Sequence, residues 1–444
     1  MSKKFRNEEF DRDGVVFGML KDVPLPRMAL VKQHFDASHL EDIPTEMAKQ
    51  FDKAGIGNRI HPGMSVAITV GSRGLANIPL IVKEIVRNVK RLGGKPFIVP
   101  AMGSHGGATA EGQRSIVEGL GVTESFVDAP IRATMETVPV GISPDGKEVR
   151  IDANAAVADG IIVLGRVKPH TAFRGKYESG LFKMMAIGLG KQQGAQICHD
   201  QGFGMMAHNV EQFGNTILQS VPILFGIAIV ENAFDETALI EAVPKEAIPA
   251  REPELLETAR SLMARIGFKD IDIMVIDKIG KNYSGDGMDP NITASYSTPY
   301  ASGGPNVQRY VVLDLSEETH GNALGAGQAD FVTKRLFNKL DFDAAYPNAL
   351  TCTVVSGVRV PLILNTDRLA LQAAVFTCVG IDKRFPRIVR IANSSHVDAI
   401  SVSEALRDEV RASDGLEFLS DFKPFCFDEE GNLDLSAEDY AAGL

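Results

Sequence analysis

The sequence predicts an α/β protein made of two domains, each with a largely parallel sheet. Its 444 residues exceed what a single hydrophobic core usually serves, so two domains are expected. Short apolar runs alternate with amphipathic helical patterns, and glycine-rich loops follow several of the runs. Strand, glycine loop and helix in alternation is the pattern of βαβ units, whose strands run parallel.

The first half of the chain fits this pattern element by element. Apolar runs typical of buried strands alternate with runs of helical periodicity. In chain order they are a strand over 64–70, a helix over 78–93, a strand over 95–102, a helix over 110–121, a strand over 160–167 and a strand pair over 221–248. The loops 71–74, 103–109 and 168–183 each follow a predicted strand. Because ligands bind at the carboxyl ends of parallel strands, we expect these loops to share one cleft.

The second half begins with a charged amphipathic helix over 251–267. We interpret this helix as a hinge between a first domain over 1–255 and a second domain over 256–444. Another alternation of strands and helices follows it. The predicted elements are strands over 270–277 and 306–315, a helix over 321–340 and an acidic surface extension over 416–444.

The composition excludes several classes of protein. A net charge of −11 and a pI near 5.4 argue against nucleic acid as the main partner, although local basic pockets can still bind small anions. No run of about 18 apolar residues occurs, so no membrane span is expected. The start, MSKKFRNEEFDRDG, is charged and lacks an apolar core, so we expect no targeting peptide. The four cysteines form no CxxC pair, which fits a reducing cytoplasm and excludes a cysteine zinc site.

The loop AMGSHGGATAEG is the first candidate site. His105 follows a predicted strand, with Gly103, Ser104 and Gly106 around it and a helix start just beyond. Glycines let backbone N–H groups approach a ligand closely, and the positive end of the helix dipole favours an anion. The alternative is an ordinary turn between strand and helix, in which the histidine has no function.

The segment 166–199 carries three more candidates, His170, Lys183 and His199. Histidine titrates near neutral pH, acts as an acid or a base, and is a common ligand of nickel and zinc. A lysine amine can form a covalent bond to a carbonyl-type group of a cofactor. Each of the three taken alone is equally compatible with a solvated surface group. Their combination, together with His105, favours a functional site.

Two further loops carry candidate ligand contacts. Ser72 and Arg73 directly follow the first predicted strand, where a guanidinium group can bind a carboxylate with two hydrogen bonds. A surface salt bridge is the alternative for Arg73. Lys278 and Lys281 lie in the loop KIGKNYSGDGMDPN, which we interpret as a polar turn facing the cleft between the domains. The chain lacks GxSxG, HExxH and Walker signatures, and no GxGxxG loop follows the first strand.

These motifs resemble those of the lactate racemase family, the enzymes that use a nickel-pincer nucleotide. The likeness rests on GSRGLANIP, AMGSHGGATAEG, the segment from His170 to His199 and FGIAIVENAFDETALIEAV. It covers much of residues 60–300, and the spacing of 16 positions from Lys183 to His199 is its most specific feature. The resemblance implies two α/β domains that close over an active-site cleft. It also implies a pyridinium mononucleotide cofactor with a thioamide and a thiocarboxylate, whose nickel is bound by one carbon and two sulfurs.

The resemblance further implies a role for each candidate residue. Lys183 looks like the lysine that holds the cofactor by a thioamide, and His199 looks like the protein ligand of nickel. His105 and His170 look like the pair of acid/base histidines. The other candidates are implied as cofactor contacts (Gly103, Ser104 and Gly106) and as substrate contacts (Ser72, Arg73, Lys278 and Lys281).

The implied reaction is racemisation or epimerisation at C2 of a 2-hydroxy acid. One histidine takes the hydroxyl proton as the cofactor accepts hydride, and the other supplies a proton when hydride returns to the opposite face. A cationic group holds the carboxylate while the keto acid turns. The expected partners are the hydroxy-acid substrate and, transiently, the enzymes that synthesise the cofactor. Without those enzymes the protein is expected in its apo form.

The sequence departs from the family pattern on the substrate side. Lactate racemases have a shorter stretch, roughly AGxSGGxK, where this chain has TAFRGKYESGLFK with Arg174, Lys176, Tyr177 and Glu178 inserted. The acidic residue usual just before Arg73 is also missing. We therefore hypothesise a substrate larger or more polar than lactate. The alternatives are a relative that uses the same cofactor for a net redox or dehydration reaction, and a non-catalytic protein that binds anions or the cofactor.

Overall fold

The computed structural model describes residues 14–435. The charged start, on which the expected lack of a targeting peptide depends, lies outside the described residues up to position 13, and so do residues 436–444 of the predicted acidic extension. The described strands are β1 Met28–Gln33, β2 Ser65–Val70, β3 Lys95–Pro100, β4 Thr137–Ile142, β5 Glu148–Asp152, β6 Gly160–Arg166, β7 Ile223–Glu231, β8 Thr237–Pro244, β9 Asp270–Ile279, β10 Asn306–Leu315, β11 Phe331–Thr333, β12 Leu362–Leu364, β13 Ile388–Ile391, β14 Ala399–Ser403 and β15 Leu416–Phe418.

The α-helical segments range from single turns to helices of 15 residues. They are α1 Val15–Leu20, α2 Ile43–Asp52, α3 Ile78–Arg91, α4 Ala110–Gly119, α5 Glu124–Val127, α6 Ala153–Ala156, α7 Leu181–Lys183, α8 Lys191–His199, α9 Met206–Ser220, α10 Ile248–Leu262, α11 Pro290–Thr293, α12 Lys334–Asn338, α13 Phe342–Cys352, α14 Asp367–Thr377 and α15 Arg407–Ala412. A π-helix over Met184–Gly188 directly continues α7. Within residues 14–435, no helix has the length and apolar character that a membrane crossing requires.

The chain folds into two compact units whose bounds differ from the predicted domains. The five-stranded unit, Asp36–Met263, is continuous, whereas the eight-stranded unit combines the chain up to Phe35 with the chain from Ala264 onward. The reason is β1, which pairs antiparallel with both β14 and β15 and so belongs to the sheet of the eight-stranded unit. The predicted boundary after residue 255 also falls inside α10, which lies wholly in the five-stranded unit.

The five-stranded unit is built on a sheet with the strand order β3-β2-β6-β7-β8. The first four strands pair in parallel and β8 pairs antiparallel with β7, so the prediction of a largely parallel sheet is confirmed. Along β2, Val66 and Ile68 enter one hydrophobic core and Ala67 enters the other. Both faces of the sheet are covered, which explains why this strand is a continuous apolar run in the sequence.

Two helices of this unit show why the sequence patterns predicted them. α3 has Pro79 in its first turn and buries an apolar stripe that includes Ile81 and Ile85. α4 begins after Thr109, whose hydroxyl accepts the N–H of Gly112 at 3.0 Å and so caps the helix. These helices return the chain across the sheet, and the parallel strands β2, β3 and β6 therefore end at the same edge.

The eight-stranded unit has the strand order β12-β11-β10-β9-β13-β14-β1-β15. The strands from β12 to β13 pair in parallel, and β14, β1 and β15 add antiparallel pairs at the other side. The predicted strands over 270–277 and 306–315 are confirmed as β9 and β10, and the fold class is two α/β units. The predicted acidic extension is wrong at its start, because β15 forms part of the sheet.

The predicted helix over 321–340 is wrong for most of its length. Gly325 has a φ of 104°, and a Cβ atom there would lie 1.8 Å from the carbonyl oxygen of Asp286, so the chain turns at this glycine. A 3-10 turn over Ala326–Gln328 leads to β11, which lies between β10 and β12, and only Lys334–Asn338 is α-helical. The aromatic and β-branched triplet Phe331–Thr333 favours a strand, and pairing on both sides overrides the helical periodicity.

Candidate active site

Three loops extend from the parallel strands β2, β3 and β6 at one edge of the five-stranded sheet. They cover 71–77, 101–109 and 167–180. In open α/β sheets, ligands bind at this edge. The predicted site residues on these loops are Ser72, Arg73, Gly103, Ser104, His105, Gly106 and His170.

The loop that carries His105 depends on glycines in the left-handed region. Gly103 and Gly106 have φ values of 60° and 69°, which any other residue adopts at a cost of roughly 1–2 kcal/mol. A Cβ atom on Gly106 would lie 2.5 Å from the carbonyl carbon of Gly112, so the loop packs directly on the first turn of α4. His105 is exposed, and its Nδ1 lies 2.7 Å from the carbonyl oxygen of Met102.

The loop that carries His170 is closed by backbone hydrogen bonds of 3.0 and 3.2 Å between Lys168 and Ser179. The carboxylate of Glu178 fills the loop and is buried. It accepts the backbone N–H groups of His170 at 2.7 Å and of Gly175 at 3.2 Å. Glu178 therefore fixes the backbone of this loop from the inside, at His170 and again at Gly175.

Helix α10 holds the same loop from its other side. Arg260 donates a hydrogen bond of 2.6 Å to Glu178, which neutralises that buried carboxylate. The hydroxyl of Tyr177 donates to the carbonyl oxygen of Pro249 at 2.8 Å. Within the loop, Arg174 donates to the carbonyl oxygen of His170 at 2.5 Å. The loop is thus a rigid part of the unit, although it has no regular secondary structure beyond one bridge.

Lys183 ends α7 at the point where the π-helix Met184–Gly188 begins. π-helical turns are rare and occur frequently at functional sites. The turn starts against the buried carboxyl group of Glu252, which accepts the N–H of Phe182 at 3.0 Å. Burial raises the pKa of Glu252 to about 8. A Cβ atom on Gly180 would lie 2.2 Å from Oε1 of Glu252, so the carboxyl group packs directly against the backbone of this glycine.

His199 is the last residue of α8 and is held by its own helix. Its Nδ1 lies 2.6 Å from the carbonyl oxygen of Ala195, one turn earlier. A carbonyl oxygen only accepts hydrogen bonds, so Nδ1 carries the proton and the lone pair of the neutral ring is on Nε2. This is the tautomer that a metal-binding imidazole needs, with its second nitrogen fixed by the protein. His105 has the same tautomer, because its Nδ1 donates to Met102.

His170 has the opposite tautomer. Its Nδ1 accepts the backbone N–H of Ala172 at 3.0 Å, so the proton of the neutral ring is on Nε2. The ring packs on Phe173 with the centroids 4.4 Å apart and an angle of 32° between the planes. Phe203 lies near both His170 and His199, with centroid separations of 6.4 and 6.0 Å. These aromatic rings form an apolar wall beside the two imidazoles.

Positive charges surround His170. Burial lowers its pKa well below the usual histidine value, and the charges of Lys183, Arg73, Lys168 and His199 lower it further. Because charge interactions weaken with distance, these four groups are near enough to His170 to affect its pKa, although they lie on separate loops and helices. Burial likewise lowers the pKa of His199, against the hydrogen bond to its own helix. The cluster is suited to a small anion.

The loop that carries Arg73 is anchored by the neighbouring strands. Glu231, at the end of β7, accepts the N–H of Ala76 at 2.7 Å and forms an ion pair with Arg166 at the end of β6. The hydroxyl of Thr237 donates to the carbonyl oxygen of Ala76 at 3.2 Å. Arg73 itself is exposed at the start of this loop. An exposed guanidinium group on an anchored loop can bind a carboxylate without a large cost in backbone entropy.

Lys278 and Lys281 lie in the eight-stranded unit. Lys278 is near the end of β9, where its backbone N–H donates to the carbonyl oxygen of Ala392 at 3.0 Å. The ammonium group of Lys281 donates to the carbonyl oxygen of Gly285 at 2.5 Å and so stabilises the turn in which it lies. The substrate contacts suggested for these two lysines stay predictions.

Sequence reasoning missed three buried charged residues that support the site. Glu178 and Glu252 are 1% and 2% exposed, and Lys191 is fully buried. The sequence around Glu178 contains no local signal of burial, because Lys176 and Ser179 are its polar neighbours. A charged residue is almost never buried without a partner. The partners are far away in the sequence, and so the motif alone does not reveal them.

His199 offers one nitrogen whose orientation the protein fixes, because its Nδ1 is held by the carbonyl oxygen of Ala195. Within residues 14–435, no group of three or more His, Cys, Asp or Glu side chains is arranged to hold a metal ion. A single imidazole nitrogen can complete the coordination of a metal whose other ligands belong to a bound organic group.

Comparison with known proteins identifies similar sequences and structures. Residues 28–212 match the family model described as lactate racemase N-terminal domain. The chain is similar to the structure of the lactate racemase apoprotein from Thermoanaerobacterium thermosaccharolyticum, with 13% sequence identity, a TM-score of 0.48 and coverage of 76% of this chain and 88% of that chain. The comparison with curated proteins finds no match.

Proposed function

We propose that the chain is a racemase or epimerase acting at C2 of a 2-hydroxy acid, because residues 28–212 match the family model described as lactate racemase N-terminal domain. The observation that carries this proposal is the pair of imidazoles His105 and His170, which lie on two loops at the same edge of the sheet. Inversion of a hydroxyl-bearing carbon needs a base for the hydroxyl proton and an acid that returns one. The Nε2 atom of neutral His105 has the lone pair that such a base needs. His170 would return the proton in its doubly protonated, imidazolium form, and the two histidines would exchange these roles in the reverse direction.

The residues present also fit a nickel-pincer nucleotide. Lys183 would hold it through its amine, and His199 would bind the nickel through Nε2. When bound, this group supplies the reversible acceptance of a hydride that C2 inversion requires. The fit is supported by the fixed tautomer of His199, which leaves the lone pair of the neutral ring on Nε2. Gly103, Ser104 and Gly106 are proposed contacts of the same group, from a loop whose glycines permit close approach.

The cationic groups around His170 give the chain a way to couple substrate binding to proton transfer. Arg73 is proposed to hold the substrate carboxylate, with Ser72 beside it and Lys168 as a second cation near His170. A bound carboxylate would offset part of the positive charge that lowers the pKa of His170. His170 would then take up a proton more readily with substrate present than without it. The apolar ring of Phe173 excludes water from one side of this imidazole.

A substrate larger or more polar than lactate also remains part of the proposal. The inserted residues Arg174, Tyr177 and Glu178 give this part of the proposal less support than the sequence suggested. All three form hydrogen bonds within the five-stranded unit, so their side chains serve the fold. Lys176 is exposed and lies 3.7 Å from Glu211. The remaining support is the loop of Arg73, which lacks the usual acidic neighbour. A panel of purified enantiomers should include lactate and larger dicarboxylic and sugar acids, and lactate as the best substrate would contradict this part.

The central experiment uses protein co-expressed with the enzymes that synthesise the cofactor. Intact mass and metal analysis should show an adduct on Lys183 and bound nickel, and chiral chromatography should show inversion of a 2-hydroxy acid. Lys183→Ala should remove the adduct, and His199→Ala should remove the nickel. His105→Ala and His170→Ala should keep both yet lose turnover by about 10²- to 10⁴-fold, the usual contribution of an acid/base group.

His208→Ala is the matched control, because this histidine pairs with Asp145 on the surface and should leave turnover unchanged. Accumulation of a keto acid or a dehydrated product without inversion would favour the redox or dehydration alternative. A protein that never acquires adduct or nickel would support the binding alternative. Lys278→Ala and Lys281→Ala test the two predicted substrate contacts, through a rise in KM that leaves the adduct intact.

A further inference from the structure

A buried hydrogen-bond network connects the loop that carries His105 to the helix that carries His199. Its two central residues, Lys191 and Gln113, are both fully buried. Lys191 is the first residue of α8, and Gln113 lies in α4. The two therefore belong to elements that carry, or directly follow, proposed catalytic and metal-binding residues.

The Lys191 ammonium group has three buried partners. Its Nζ donates to the carbonyl oxygen of Pro100 at the end of β3 and to Oε1 of Gln113 at 2.9 Å. It also forms an ion pair with Oδ2 of Asp152, in β5, at 3.0 Å. Lys191 has a φ of 51°, a left-handed conformation that is uncommon for a residue with a side chain. The start of α8 is thus held in a strained conformation by buried polar contacts.

The amide group of Gln113 extends the network to the His105 loop. Its Nε2 donates to the carbonyl oxygens of Gly103 at 2.8 Å and of His105 at 3.3 Å. An amide has two N–H donors, and both are used. Its orientation is determined as well, because the oxygen must face the ammonium group of Lys191 and the nitrogen must face the two carbonyl groups.

We propose that Gln113 and Lys191 are positioning residues that hold the backbone of the His105 loop in one place relative to α8 and His199. The catalytic meaning of this link rests on the function proposed above, whereas the link itself is a property of the folded chain. The network is not explained by stability alone. Burial lowers the pKa of Lys191 and raises the pKa of Asp152, which shows that the interior disfavours both charges. A well-packed apolar pair would commonly be as stable or more stable.

The sharpest test is Gln113→Glu, which replaces the amide nitrogen of the side chain by an oxygen. The new carboxylate still accepts from Lys191 but cannot donate to the carbonyl oxygens of Gly103 and His105. Gln113→Met removes both donated hydrogen bonds, and the acceptor of Lys191 as well, without adding a charge. It covers the case in which the charged variant does not fold. The matched control is Gln193→Glu, the same substitution at an exposed position of α8. Lys191→Met should loosen both the loop and the first turn of α8.

Native-state hydrogen exchange on the purified protein is the first readout. The hydrogen-bonded amides of the loop include those of Gly103, Ala108 and Thr109. We expect them to exchange about tenfold faster in both Gln113 variants, the effect of losing one or two ordinary hydrogen bonds. The amides of β7 should exchange at the wild-type rate in both variants and in the control. Unchanged loop exchange, or an equal increase throughout the unit, would overturn the proposal.

The second readout uses the loaded enzyme. Because the loop carries the proposed base and α8 carries the metal ligand, Gln113→Glu should keep nickel and adduct at the wild-type level and lower kcat by about tenfold or more, since small displacements of reacting groups are costly. A proportional loss of nickel and kcat would indicate general damage and contradict a positioning role. Faster loop exchange in a protein without racemase activity would leave the link intact and reject the proposed function instead.

Discussion

At the scale of single residues, buried charges determine how the reactive groups are presented. Glu178 holds the backbone at His170, Glu252 receives the N–H at the start of the turn that carries Lys183, and Lys191 holds the start of α8. None of them is placed to react with a small molecule itself. Burying a charge is costly unless its partners are in place, so each of these residues ties a functional segment to one position in the fold.

Glu252 makes this cost measurable through pH. Its pKa rises from 4.5 to about 8 on folding, because the interior disfavours the charged form. Between these values the folded state binds more protons than the unfolded state, so stability falls as pH rises through this window. The full difference corresponds to roughly a few kcal/mol above pH 8. Glu252→Gln should therefore gain in Tm relative to wild type when thermal unfolding is measured at pH 9 rather than pH 5.

The matched control for this prediction is Glu254→Gln, two positions along α10. Its carboxylate is largely exposed and pairs with Arg251, so its contribution should change little between pH 5 and pH 9. A Tm difference between Glu252→Gln and wild type that is constant across this range would mean that Glu252 is ionised in the folded protein. The carboxyl group would then need a further partner near Gly180.

At the scale of elements, most of the predicted site residues lie on loops, and the strands and helices of the five-stranded unit hold these loops in place. The apolar runs and the helical periodicity over 64–121 predicted every strand and α-helix of that stretch, because those patterns reflect burial on both sides of a sheet. The same reasoning failed over 321–340, where Gly325 turns the chain and Phe331–Thr333 pairs with strands on both sides. Hydrophobic periodicity depends on residues close together in the sequence, whereas strand pairing depends on residues that are often far apart in it.

The His105 loop offers a matched pair of glycines for a second prediction. Gly106 and Gly107 have φ values of 69° and 62°, but a Cβ atom on Gly106 would lie 2.5 Å from backbone atoms of α4, whereas one on Gly107 would meet open space. Both alanine variants carry the strain of a left-handed residue, roughly 1–2 kcal/mol. Gly106→Ala adds overpacking of roughly 1–3 kcal/mol. Urea unfolding should therefore show the larger loss for Gly106→Ala, and equal losses would contradict direct packing of this loop on α4.

At the scale of the whole molecule, the chain builds one unit from a continuous segment and the other from two separate segments. The five-stranded unit contains His105, His170, Lys183 and His199, together with two hydrophobic cores of its own. The eight-stranded unit needs β1, whose residues pair with both β14 and β15. The first unit is therefore complete without the rest of the chain, whereas residues 264–444 alone lack a strand from the interior of their sheet.

We expect a fragment of residues 36–263 to fold by itself and to unfold cooperatively on heating, as followed by circular dichroism. A fragment of residues 36–255 should be less stable, because it lacks the end of α10 with Arg260, which neutralises the buried Glu178. Removing one partner of a buried ion pair typically costs roughly 3–5 kcal/mol. Equal stability of the two fragments would show that the end of α10 contributes little, and an unfolded 36–263 would contradict the independence of this unit.

The sequence by itself determined the α/β class, the parallel strands of the first half, and the histidines, lysine and arginine of the site. These features depend on residue types and on short spacings along the chain, so they can be recognised from the sequence alone. The tertiary structure alone decided that β1 belongs to the eight-stranded sheet, that His105 and His170 have opposite tautomers, and that Glu178, Glu252, Gln113 and Lys191 hold the site in place. Each of these depends on a partner many residues away. A hydrogen bond or a buried charge is specified only when folding brings both of its members together.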